Sequence, residues 1–250
     1  MIKHLAAACA ALCLTCGALS AQAAVYKVGT HPTFAPFEFV DAAGTPTGFD
    51  IELIKAVLKS QGDEVEIVSM PFDGLIPALL TGQIDAIISG MTITQERQKR
   101  VDFSTGYYNS TLSAVIRSAD SDKYKSSEDL KGQKICAQIG TTGSAFAEKL
   151  SPGQVVNLNN EPDALLELKN GGCAALINDR PVNLYYMKQA GGTDFAELID
   201  DALTSNPDLY GIAIKKGNDE LRAKIDKGLK DIEASGELKT IHENWFGKAQ

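Results

Sequence analysis

Short apolar runs alternate with amphipathic stretches along the chain, and the first of them predict a β-α-β-α-β unit. The runs Tyr26–Thr30, Val65–Met70 and Ile84–Ile88 have the length and apolar content of buried parallel strands. Two segments with helical spacing lie between them, one opening at Asp50 and one near Phe72. Asp50 is a residue type that caps helices, so we expect it to be an N-cap. The pattern predicts a doubly wound α/β unit.

A second unit with the same order follows, without repeating the sequence of the first. Its predicted strands are Lys134–Gln138, Gln154–Leu158 and Cys173–Asn178, and its predicted helices are Ser144–Leu150, Glu161–Lys169 and a segment from Asp179 through Lys188. A Gly- and Thr-rich turn precedes the first of these helices. The chain is therefore predicted to contain two α/β lobes.

The C-terminal segment is too short for a third domain. It contains a predicted strand, Leu209–Lys215, a helix capped by Asn218 and a terminal helix after Gly236. We expect it to return to the first lobe, which assigns residues 24–108 and 209–250 to lobe 1 and residues 112–203 to lobe 2. Hinge strands near 107–111 and 203–209 would join the lobes around a cleft.

The N-terminus, residues 1–23, has the pattern of a secretory signal peptide. Lys3 supplies a positive charge, Leu5 to Leu19 form an apolar stretch, and Ala21-Gln22-Ala23 matches a cleavage site. The alternatives are a membrane anchor, for which the apolar stretch is short, and a lipoprotein, for which the residues before Cys16 fit poorly. We expect a periplasmic protein.

The net charge and the cysteines limit the class of partner and the redox states to be considered. The formal net charge of −8 disfavours a nucleic-acid partner, because phosphate backbones are bound by basic surfaces. Cleavage would leave Cys136 and Cys173, each in a predicted strand. In an oxidising compartment they are either two buried thiols or a strained cross-strand link, and both alternatives stay open.

Candidate binding residues follow the strand Ile84–Ile88. Ligands of open α/β sheets bind just beyond the carboxyl ends of the strands, where Gly90, Thr92 and Arg97 stand. The planar fork of an arginine suits a carboxylate. Thr94 is placed to cap the short helix that carries Arg97. The alternative is that Arg97 is only a solvated helix residue.

Five segments, in this order, resemble the periplasmic polar amino-acid-binding proteins of ABC transporters, solute-binding protein family 3, and above all their glutamine-binding members. The segments are GFDIELIKA, PFDGLIPALLTGQIDAIISGMTITQERQKRVDFSTGYY, GTTGS, IND and YGIAIKKGNDELR. The resemblance implies a type II periplasmic-binding-protein fold, two doubly wound lobes joined by two hinge strands. It implies a monomer that needs no metal or cofactor, binds a free L-amino acid and delivers it to an inner-membrane ABC permease complex.

The resemblance also implies roles for individual residues. Arg97 and Thr92 would hold the ligand α-carboxylate, and Asp179 and the Gly90 carbonyl would hold the α-ammonium. The remaining implied contacts are Phe34 and Phe72 on both sides of the aliphatic part of the ligand, and donors from Thr142 and Gly143 at a helix N-terminus. The alternatives are that Phe34 belongs to the core and that Asp179 only caps the following helix.

Specificity would depend on His31, Gln138 and Asn178, where the glutamine-binding members carry Asp, Lys and His. These three side chains are neutral if His31 is unprotonated, so they offer a charged ligand side chain no opposite charge. This favours glutamine. The alternatives are a binder of arginine, lysine, histidine or cystine, and a role for His31 as a loop residue only.

An enzyme is the competing class, because the same fold carries periplasmic dehydratases. Catalysis needs a positioned general acid or base. The sequence shows no Ser-His-Asp arrangement and no metal-ligand spacing, and the placed ionisable groups other than His31 are already assigned to the ligand zwitterion. We therefore expect a binding protein without catalytic residues.

Overall fold

Two five-stranded sheets form the scaffold of the protein, seen here in a computed structural model that describes residues 23–205 and 208–248. The predicted signal peptide lies outside the described residues except for Ala23. The strands are β1 (Val25–Thr30), β2 (Thr33–Phe34), β3 (Glu38–Val40), β4 (Pro46–Thr47), β5 (Glu64–Ser69), β6 (Ala86–Ile87), β7 (Val101–Phe103), β8 (Tyr108–Ser110), β9 (Leu112–Arg117), β10 (Ile135–Gln138), β11 (Val155–Leu158), β12 (Ala175–Asp179), β13 (Phe195–Leu198), β14 (Asp208–Tyr210) and β15 (Ala213–Lys215). The helices are α1 (Phe49–Ser60), α2 (Phe72–Thr81), α3 (Gln95–Gln98), α4 (Thr142–Leu150), α5 (Glu161–Lys169), α6 (Arg180–Gln189), α7 (Asp201–Thr204), α8 (Asp219–Ser235) and α9 (Glu237–Phe246).

The strand orders confirm the predicted fold class. The first sheet has the order β5-β1-β6-β15-β7, in which β1 runs parallel to β5 and β6. The C-terminal strand β15 joins this sheet antiparallel, between β6 and β7. The second sheet has the order β11-β10-β12-β9-β13, with β10 parallel to β11 and β12. We call the part built on the first sheet lobe 1 and the part built on the second lobe 2.

A two-stranded antiparallel pair, β8 with β14, contains the chain segments that run between the two sheets. The prediction of one continuous strand over Leu209–Lys215 is wrong, because the chain leaves β14 at Tyr210 and enters β15 at Ala213. Gly211 lies in this break, and a Cβ there would stand 2.7 Å from Ile93 Cδ1. The residue bounds of the lobes and hinges remain a prediction.

Helix α1 carries the main correction to the local predictions. Its N-cap is Gly48, at φ 128°, where a Cβ would lie 2.2 Å from the Phe37 carbonyl oxygen. Asp50 is not the N-cap but a buried residue of the first turn. The predicted caps Thr94 and Asn218 are confirmed, since each side chain accepts a hydrogen bond from the backbone N–H three residues later.

Cys136 and Cys173 form a disulfide, with an Sγ–Sγ distance of 2.11 Å. The bond joins β10 to the turn before β12, and both residues lie in the apolar core of lobe 2 with Val115 and Leu168. This decides between the two alternatives left open by the sequence. Within residues 23–205 and 208–248, no helix combines the length and the apolar character that a bilayer span requires.

Candidate ligand-binding site

A cavity lies between the two lobes. It is lined by His31, Phe34, Glu38, Phe72, Ser89, Gly90, Thr92 and Arg97 from lobe 1, and by Gln138, Thr141, Thr142 and Asp179 from lobe 2. Nine of the eleven predicted site residues belong to this set. The lobes already touch around it, since the Tyr186 hydroxyl of lobe 2 donates to the Thr33 carbonyl oxygen of lobe 1 at 2.8 Å.

One end of the cavity is built to hold an anion. Arg97 Nη1 donates to the Thr92 carbonyl oxygen at 2.8 Å, and Nη2 donates across the cleft to the Gly140 carbonyl oxygen at 3.1 Å. The guanidinium carbon lies 5.4 Å from the centre of the Phe72 ring. These contacts fix the orientation of the guanidinium. Thr142, opposite, opens helix α4, whose N-terminal N–H groups favour a negative charge.

Asp179 supplies a buried carboxylate at the end of β12. Its side chain is 3 % exposed, and Oδ1 accepts a hydrogen bond from the Tyr210 hydroxyl at 2.7 Å. Asp179 also precedes helix α6 in the N-cap position, but its side chain makes no capping hydrogen bond. The carboxylate is therefore directed at the cavity rather than used for the helix, which suits a ligand ammonium group.

His31 and Gln138 meet across the cleft. Gln138 Nε2 lies 2.8 Å from His31 Nδ1 and 3.1 Å from the Asn159 carbonyl oxygen. With Gln138 donating, Nδ1 is the acceptor and the other ring nitrogen carries the proton. Burial lowers the pKa of His31, so the ring is neutral at pH 7.

Two predicted residues, Gly143 and Asn178, are not among the residues that line the cavity, so a ligand contact for them stays a prediction. Neighbouring side chains of a strand point to opposite faces, and Asp179 takes the cavity face of β12, so Asn178 does not. Asn178 is fully buried instead. Gly143 packs against the same strand, since a Cβ there would lie 2.6 Å from the Ile177 carbonyl oxygen.

Three lining residues were missed by the sequence analysis: Glu38, Ser89 and Thr141. Glu38 is the most consequential, because it brings a second, fully buried carboxyl group to the cavity. Its Oε1 accepts from the Ser89 hydroxyl at 2.8 Å. The available signal was its position four residues after Phe34, which the sequence analysis had already named as a candidate contact. Burial and the nearby Asp50 and Asp179 raise the pKa of Glu38 well above its usual range.

Comparison with known proteins agrees with this geometry. The model of the bacterial extracellular solute-binding proteins, family 3, matches residues 26–248. The chain is 34% identical to a probable histidine-binding protein of Neisseria gonorrhoeae over 99% of this chain and 97% of that one. It is 35% identical to ABC transporter arginine-binding protein 1 of Escherichia coli, over 98% and 99%. A solved structure of an ancestral arginine-binding protein bound to glutamine is 42% identical with a TM-score of 0.84, covering 90% of this chain and 98% of that one. The chain thus belongs to family 3 of the bacterial extracellular solute-binding proteins.

Proposed function

We propose that the protein captures a free L-amino acid with a cationic side chain, of the arginine and histidine class, and delivers it to an ABC transporter permease in the inner membrane. It acts in the periplasm as a monomer. The two lobes close around the ligand, and no cofactor takes part. The relatives named for histidine and arginine binding support this ligand class.

The observation that carries the proposal is the charge inventory of the cavity. The α-carboxylate of an amino acid needs a cation and its α-ammonium needs an anion. Arg97 provides the cation and Asp179 the anion. Glu38 is then left over, with Oε2 buried and without a donor among the residues that the structure describes. A buried charge needs an opposite charge or hydrogen bonds. A cationic ligand side chain provides both to Glu38.

Glutamine, favoured from the sequence, is the second candidate. The preference for glutamine was based on the neutral side chains of His31, Gln138 and Asn178, without Glu38. Glutamine keeps a place because a related arginine-binding structure holds it.

A thermal-shift panel of the twenty amino acids, cystine and citrulline tests the assignment. At a concentration of one hundred times its dissociation constant, a ligand stabilises the fold by about 2.7 kcal/mol. Arginine, lysine or histidine should give the largest shift. Citrulline, which has nearly the shape of arginine without its charge, should give a smaller one. A shift with glutamine alone would transfer the assignment to the second candidate, and no shift with any of them would contradict both.

We also propose that binding involves no chemistry. Incubating the protein with each amino acid that binds, and with prephenate-type acids, followed by mass spectrometry of the solution, tests this. The ligand should be recovered unchanged, and catalytic formation of a product would move the protein to the dehydratase class.

A further inference from the structure

Two carboxyl groups, those of Glu38 and Asp50, form a buried pair beneath the cavity. Both side chains are 0 % exposed. Asp50 Oδ2 accepts two hydrogen bonds, from the Gly90 backbone N–H and from the Tyr107 hydroxyl, each at 2.8 Å. Glu38 Oε1 accepts one from Ser89. The two other oxygens, Glu38 Oε2 and Asp50 Oδ1, have no donor among residues 23–205 and 208–248 when both groups are ionised.

The two side chains interact directly. One shared proton would join them, since a protonated carboxyl donates while its ionised neighbour accepts. Two adjacent ionised carboxylates without a cation would instead repel each other at low dielectric. Burial raises the pKa of Asp50 to about 6, and burial with the charge of Asp50 raises the pKa of Glu38 further. Glu38 therefore carries the proton and donates it to Asp50.

The surroundings of the pair are mostly acidic or neutral. From the elements packed around it, the titratable groups that face it are Asp179 of β12, Tyr107 before β8 and Tyr186 of α6. Glu161 of α5 faces Asp179, and the neutral His31 lines the same cavity. Arg97 is the cation of the described cavity lining, and its guanidinium is hydrogen-bonded to the Thr92 and Gly140 carbonyl oxygens. A ligand cation would therefore change the balance of charge at Glu38.

We propose that the free protein holds one proton between Glu38 and Asp50, and that a ligand with a cationic side chain expels this proton to the solvent on binding. The O–H bond of the Glu38 carboxyl breaks, the proton passes to water or buffer, and the new carboxylate pairs with the ligand cation. The N–H groups of the ligand replace the lost donor. This inference rests on the proposed function.

Release of this proton makes the affinity depend on pH, and the dependence differs between cationic and neutral ligands. Because binding releases a proton, the affinity for arginine or lysine rises with pH. The rise is about tenfold per pH unit over the range in which the free pair holds the proton and the complex does not. A ligand with a neutral side chain leaves the proton in place, so this pair contributes no pH dependence to its affinity.

Isothermal calorimetry of the full-length mature protein tests the inference. L-arginine and L-lysine are titrated at pH 7 in phosphate and in Tris, whose ionisation enthalpies differ, and the dependence of the heat on the buffer counts the protons. We expect about one proton released per arginine or lysine and none per citrulline. Measurable binding of arginine with the same heat in both buffers would overturn the inference and leave the proposed function standing. Absence of binding by arginine, lysine and histidine would overturn both.

Two matched variants locate the proton. Glu38→Gln imitates the protonated group, since its amide donates to Asp50 and its oxygen accepts from Ser89. Asp50→Asn keeps an oxygen for Gly90 and Tyr107, removes the charge of Asp50 and gives Glu38 an amide donor, so Glu38 holds its proton less tightly before binding. Glu38→Gln should release less than half a proton per arginine, and Asp50→Asn should release less than wild type, while thermal unfolding of both variants and the citrulline titration of Asp50→Asn show that the fold and the site are intact. Full release from both folded variants would overturn the assignment to this pair.

Discussion

Glu161 gives the sharpest prediction about stability. It is the first residue of α5 and is 1 % exposed, and neither carboxyl oxygen has a hydrogen-bond donor among the described residues. Burial, and then the charge of Asp179, raise the pKa of Glu161 to about 8. Replacement by glutamine preserves the shape of the side chain and removes its titration.

The size and sign of the effect follow from the difference in pKa between the folded and unfolded states. The folded group holds its proton more tightly than the unfolded one, whose pKa is near 4.5. The stability that this group contributes is therefore complete below pH 4.5 and is lost as the pH rises towards 8. At pH 7 the loss amounts to about 3 kcal/mol, because each unit of pKa corresponds to about 1.4 kcal/mol. Glu161→Gln avoids this loss, so the variant should gain that amount relative to wild type between pH 4 and pH 7.

Urea unfolding of the ligand-free protein, followed by the fluorescence of the single tryptophan Trp245, measures the difference. The exposed substitution Glu233→Gln on α8 controls for the chemical change itself. A difference in unfolding free energy between Glu161→Gln and wild type that is the same at pH 4 and pH 7 would refute the reasoning.

Two further predictions concern the site and the disulfide. Arg97→Lys should weaken ligand binding by about tenfold to a hundredfold, because a lysine ammonium cannot replace a two-pronged charge-assisted contact, and unchanged affinity in calorimetry would remove Arg97 from the site. Replacing both Cys136 and Cys173 by serine should lower the unfolding free energy by about 4 kcal/mol, since the bond closes a loop with a sequence separation of 37. An unfolding midpoint equal to that of wild type under oxidising conditions would contradict this.

The sequence predicted the parts of the molecule that depend on local pattern. The apolar runs predicted the strands. The position of Arg97 after a buried strand predicted that it lies at the cavity. Thr94 could be identified because capping needs only a hydroxyl and a free N–H three residues on. The assignment of β15 to the first sheet followed from a count of elements, since too few remained for a third domain.

What the sequence could not provide depends on contacts between distant segments. Glu38 lies on a strand of three residues whose pairing with β2 and β4 turns its side chain inward, and three residues carry too little periodicity to show a face. Asp50 has the residue type of a cap, but its partners Gly90 and Tyr107 are 40 and 57 residues away. Asn178 lies beside Asp179 on β12, and one residue of strand register decides which face a side chain takes, so the sequence alone could not choose between them.

Tyr210 ends the strand β14 and connects the two groups proposed to hold the α-carboxylate and the α-ammonium of the ligand. Its backbone forms a bridge with Thr92, and its hydroxyl donates to Asp179 of the other lobe. Tyr210 thus links Thr92 and Asp179 directly, alongside the other contacts between the lobes. An amino acid with its amine one carbon further from the carboxylate would meet only one of these groups at full closure. In the proposed complex, this linkage would favour the α-amino acid backbone whatever the side chain.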